Sequence, residues 1–105
     1  MIKRDFTKVP KREFNSATSL IADTIENFGL SQAKTARLMQ VSPSLLNEVL
    51  KEKRGVSIDL ALRLEALFGV SAGLLIRMQA DFDYQKAYHA NNEKILNEVT
   101  RLEVA

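Results

Sequence analysis

Between residues 42 and 54 the chain reads SPSLLNEVLKEKR, and its polar side chains are spaced for recognition, not for catalysis. On a helix that begins after Ser42, the side chains of Pro43, Ser44, Asn47, Glu48 and Lys51 share one face. Ser44 and Asn47 can hydrogen-bond to base edges in a major groove, and Glu48 can accept from a cytosine amine. We therefore expect Pro43, Ser44, Asn47, Glu48 and Lys51 as base contacts near the amino end of a recognition helix. Ser42 and Gln32 each stand at a helix start, where free backbone N–H groups and the helix dipole favour a phosphate oxygen. Lys53 and Arg54 follow the same helix and would lie near the sugar-phosphate backbone. Taken alone, that basic run reads as an ordinary solvated helix end, whose dipole also favours cations. Beside a sharp turn it reads as phosphate contact.

These residues need elements to aim them, and helix punctuation recurs along the chain. Asn15 or Ser16 can cap a first helix whose Ala17, Leu20, Ile21, Ile25 and Phe28 fall at helical spacing, with Gly29 as its left-handed stop. Ser31 caps a second helix reaching about Met39, with Ala33, Ala36 and Leu38 available for packing. Ser42 caps a third with Pro43 in the favoured first position, closed by Gly55. Ser57 opens a fourth through Leu60, Ala61, Leu64, Leu67 and Phe68, ended by Gly69. Ser71 opens a fifth through Leu74, Leu75, Met78 and Phe82. Past Asn91 and Asn92, another apolar stripe comprises Ile95, Leu96, Val99 and Leu102. No segment alternates apolar and polar residues as a strand would.

The two or three residues between the second and third helices force a wide crossing, the geometry of a helix-turn-helix. Counted from Gln32 as the first position of a twenty-residue unit, Ala36 is fifth, Val41 tenth, Leu46 fifteenth and Val49 eighteenth, where packing needs small or apolar residues. Gln40 stands ninth, where the turn often requires positive φ and glycine is the easier choice. Left-handed geometry there costs on the order of 1 kcal/mol.

With 105 residues and a net charge of +2, the chain suits one modest core, and its charge distribution says more than its total. Residues 1–14 are basic, contain Pro10 and lack helical periodicity, so we expect a flexible arm; 15–90 form the helix-turn-helix domain and 91–105 a C-terminal helical extension. The absence of cysteine excludes disulfides and zinc-thiolate sites and is compatible with a reducing cytosol. No apolar run approaches a membrane span, and the start has no apolar signal region. The expected location is the bacterial cytoplasm. His89 is the only histidine, so a metal site would rest almost wholly on carboxylates, and it reads as an ordinary exposed residue. Asp81 and Asp83 are two apart and do not share a helix face, which argues against paired-carboxylate catalysis. No phosphate-cradling glycine loop or activated nucleophile appears, so neither cofactor nor enzyme chemistry is expected.

Residues 29–83, GLSQAKTARLMQVSPSLLNEVLKEKRGVSIDLALRLEALFGVSAGLLIRMQADFD, resemble the lambda-repressor-like helix-turn-helix proteins of the XRE type, and within them the HigA-type antitoxins of bacterial toxin-antitoxin operons. The resemblance rests on LSQ at 30–32, VSPSLLNEVL at 41–50, KRGVS at 53–57, ALRLEALFGVSA at 61–72 and the Gln79 and Asp83 pair. It implies an all-α, usually dimeric protein that binds a palindromic operator, represses its own operon and neutralises a HigB-like, mRNA-cleaving toxin. The chain departs from the pattern at Leu75 and Arg77, where family members often carry tryptophan and asparagine, and in its basic opening.

Several alternatives stay open at this stage. The 95–102 stripe reads as core cover, dimer seam or toxin contact; the arm reads as a solubilising tail, a DNA contact or a toxin-binding segment. A stand-alone phage or metabolic repressor, or a protein-interaction module without a DNA role, would use the same fold.

Overall fold

A computed structural model describes residues 13–103. Most of the expected arm at 1–14 therefore lies outside the described residues. Five helices follow in order: α1 Ser16–Asn27, α2 Gln32–Met39, α3 Pro43–Leu50, α4 Ile58–Phe68 and α5 Ala72–Glu98, with no strand among the described residues. None is long and apolar enough to cross a membrane.

Each start is closed by its own side chain. Ser31, Ser42, Ser57 and Ser71 each accept a hydrogen bond from the N–H three residues on, at 3.0–3.1 Å. Asn15, not Ser16, caps α1 by accepting from Ala17 N. These contacts satisfy N–H groups that a helix leaves unpaired. Gly29 and Gly69 take positive φ at the ends of α1 and α4. Gln40 ends α2 at φ 57°, ψ 42°, while Val41 N–H donates back to Ala36 O at 3.0 Å. That is a Schellman closure with glutamine in the glycine position.

The core gathers one face from every helix. Ala17, Ala36, Leu46, Val49, Ala61, Leu64 and Leu75 have no exposed surface, and Ile21 and Leu60 have almost none. The first part of α5 packs against α1 and α4, and α2 crosses onto both α3 and α4. Arg63 on α4 reinforces that crossing by donating from Nη1 to Met39 O at 2.9 Å, which satisfies a carbonyl at the end of α2.

Four sequence expectations change. Leu38 is half exposed and Ala33 exposed; α2 packs through Thr35, Ala36 and Met39, and the Thr35 hydroxyl is satisfied by Ser31 O at 2.8 Å. Phe28 is exposed on one side and rests on Phe68, ring centres 4.8 Å apart. Gly55 does not close α3. The left-handed residue there is Glu52, φ 58°, with Lys53 N–H donating to Glu48 O at 2.8 Å. Finally, the boundary drawn between residues 90 and 91 falls inside α5, because nothing in that stretch breaks a helix. α5 is roughly 40 Å long by the ordinary helical rise. It stops at Glu98, leaving Val99 and Leu102 beyond it and exposed.

Candidate nucleic-acid interface

The aim of α3 follows from its buried side. Leu46 and Val49 have no exposed surface, so the opposite side must face outward. Pro43, Ser44 and Lys51 are exposed, and Asn47 and Glu48 partly so. Pro43, Ser44, Asn47 and Glu48 therefore lie at the accessible amino end and middle of the helix, while Lys51 is its C-cap. Ser42 is exposed; its Oγ accepts from Leu45 N at 3.0 Å, which leaves its hydroxyl proton available to an outside acceptor.

Two bonds join the expected phosphate contacts to the expected base contacts. Gln32, first residue of α2, donates from Nε2 to Asn47 Oδ1 at 3.2 Å. This seats the start of α2 beside the middle of α3. Arg54 donates from Nε to Glu48 Oε2 at 3.0 Å, with side chains 58% and 41% exposed. An ion pair this open contributes about 0–1 kcal/mol, so a duplex can displace it at little cost. Gln32, Ser42, Lys53 and Arg54 are all exposed, and Lys53 and Arg54 also line a cleft with Gln79 and Asp83.

Behind the Lys53–Arg54 loop sits a polar cluster that sequence reasoning missed. Gln79 Oε1 accepts from Asn15 Nδ2 at 2.6 Å and from Val56 N at 2.8 Å, and Gln79 Nε2 donates to Asp83 Oδ1 at 2.9 Å. Asn15 N donates to Glu52 Oε1 at 2.6 Å. Asn15 and Gln79 are buried, and the cluster borders a cleft of about 270 Å³. The only sequence signal was the four-residue step from Gln79 to Asp83, which suits an amide–carboxylate bond on one helix face. Nothing local announces that Asn15 and Val56 meet there too. Asp81 accepts from Gln85 at 2.8 Å, so the two aspartates hold separate partners. His89 is exposed and meets Tyr88 edge-on at 5.4 Å.

A short-turned helix pair with a buried small residue at Ala36 and an outward polar face defines a helix-turn-helix protein. The family profile described as helix-turn-helix matches residues 21–75. Antitoxin HigA of Pseudomonas aeruginosa, solved with the higBA promoter, is similar at 32% identity, covering 88% of this chain and 100% of that one, with a TM-score of 0.78. Antitoxin GraA is similar at 29% identity over 89% of this chain and 100% of that one, TM-score 0.79. Virulence-associated protein I of Dichelobacter nodosus is 40% identical over 63 residues, which span 60% of this chain and 58% of that protein's length. The chain belongs to the helix-turn-helix family, in its HigA-type antitoxin branch.

Proposed function

We propose that this protein is a homodimeric, operator-binding repressor of its own toxin-antitoxin operon, acting in the bacterial cytoplasm and neutralising a HigB-like ribonuclease encoded beside it. One observation carries the DNA reading: Pro43, Ser44, Asn47 and Glu48 of α3 and its C-cap Lys51 are exposed or partly so, while Leu46 and Val49 lie in the core. In this reading those five residues meet base edges, and Gln32, Ser42, Lys53 and Arg54 meet phosphates. The HigA relative solved with a promoter supports it. A two-fold dimer would set its recognition helices in major grooves about 34 Å apart, so the operator should be palindromic.

The test is titration of the purified protein against its own upstream region and against a scrambled duplex, at several salt concentrations. Binding should favour the native sequence and fall steeply with salt as counterions are released. Indifference to sequence at every salt concentration would defeat operator reading. Co-expression with the neighbouring reading frame tests the toxin role; a product that is neither toxic alone nor retained by this chain removes it.

A second reading has one observation in its favour. Glu48 places a carboxylate on the outward face and engages Arg54, which suits a protein-interaction module that has no use for DNA. That module would bind neither duplex.

A further inference from the structure

The loop that carries Lys53 and Arg54 is tied to α3 at its first residues, where Lys53 N–H donates to Glu48 O at 2.8 Å, but Arg54 and Gly55 lie beyond that closure. The Arg54–Glu48 pair is exposed and holds a side chain, not the loop's backbone. At the far end of the loop, the buried tie to the backbone comes from α5. Gln79, 8% exposed, accepts the Val56 N–H, and the Asp83 carboxylate accepts from the other end of the same amide. An ionised acceptor at one end of a hydrogen-bonded chain strengthens the bonds further along it. The approach is close enough to restrict residue 55: a Cβ on Gly55 would stand 3.0 Å from Gln79 Nε2 and 3.1 Å from its Cδ. A side chain at residue 55 would crowd the Gln79 amide, which would have to give by a few tenths of an ångström to admit it. The same Oε1 atom takes Asn15 Nδ2, and Asn15 N donates to Glu52 at the start of the loop. One buried amide therefore fixes the loop against two other parts of the fold.

We propose that Gln79 is a positioning residue for phosphate binding: it touches no DNA, and it presets the backbone that presents Lys53 and Arg54 to a strand. The proposal rests on the reading of Lys53 and Arg54 as phosphate contacts. Its physical basis is preorganisation. Two long cationic side chains must already lose rotamer freedom on binding, and a loop that also had to be ordered would lose more. With the loop pinned beforehand, the interaction of both cations with the strand is retained.

The experiment compares Gln79→Leu, the pair Lys53→Ala/Arg54→Ala, and all three substitutions together, by fluorescence anisotropy on the protein's own upstream duplex across a salt series. Circular dichroism reports folding in each case. The paired alanines should reduce the slope of log affinity against log salt by about 2 and weaken binding to all sequences alike. Gln79→Leu should cost about tenfold in affinity with a shallower slope, and should cost almost nothing once Lys53 and Arg54 are gone. A purely structural role would instead weaken binding equally in both backgrounds, and that result overturns the proposal. Unchanged binding in the paired alanines would show that the loop meets no phosphate, so the phosphate reading and this inference would fall together.

Rescue provides the second arm, and it carries the test should Gln79→Leu fail to fold. Gln79→Glu keeps an acceptor for Asn15 and Val56 but sets a carboxylate against Asp83; affinity and slope should both drop. Adding Asp83→Asn exchanges donor and acceptor across that bond at unchanged net charge, and should restore both. A double variant that folds but stays as weak as Gln79→Glu alone contradicts the proposal.

Discussion

On the inner side of α3, Leu46 and Val49 have no exposed surface, and the loop that follows is tied to Gln79 in the interior. On the outer side, the Gln32–Asn47 bond and the Glu48–Arg54 pair have similar lengths, 3.2 and 3.0 Å, but lie in solvent. Similar geometry has different consequences in the two places. A buried polar group that loses its partner costs about 1–3 kcal/mol, because no water replaces it. An exposed one exchanges its partner for water, or for a ligand, nearly without loss. The inner side is therefore suited to holding α3 still, and the outer side to giving up its bonds to a duplex.

The sharpest way to probe this contrast is to cut each side separately. Leu46→Ala should destabilise the fold by about 2–5 kcal/mol in denaturant unfolding, the range for truncating a fully buried leucine. A loss within 0.5 kcal/mol would mean that α3 is not seated as described. Asn47→Ala, one residue away but outward, should leave stability within about 0.5 kcal/mol. In competition binding it should lower discrimination between the operator and single-base variants by about 1–3 kcal/mol at the affected position. An equal loss for every duplex would reassign Asn47 to the phosphates. The smallest effect belongs to Glu48 and Arg54: a double-mutant cycle on stability should give a coupling of about 0.2–1 kcal/mol, shrinking as salt is added. A larger, salt-insensitive coupling would place that pair with the buried contacts and erase the distinction.

Much of the frame could be read from local chemistry. Ser31, Ser42, Ser57 and Ser71 cap as expected because a serine cap needs only the N–H three residues on. Gln40 adopts the left-handed turn because the twenty-residue unit demands it, whichever residue is present. The face of α3 followed from helical period once Leu46 and Val49 were placed inward. Errors arose where the deciding partner is distant in sequence. Gly55 looked like a helix stop, but its close neighbour is Gln79, which a side chain there would crowd. Leu38 looked like core, yet Thr35, on the inward side of α2, took that place with its hydroxyl satisfied locally. The stripe past Asn91 looked like a new element, and hydropathy alone could not show that α5 runs on to Glu98.

By itself, the sequence determined where helices begin, the left-handed turns at Gly29, Gln40 and Gly69 though not at Glu52, and which polar side chains share the outward face of α3. All of these follow from interactions within about four residues. Only the tertiary structure decided what anchors that face. The Gln79–Asp83 step is local to α5, but the bonds from Asn15 and Val56 to Gln79 join residues 64 and 23 apart in the chain, and no local propensity records them, because each exists only after the core has brought α1, α5 and the loop between α3 and α4 together.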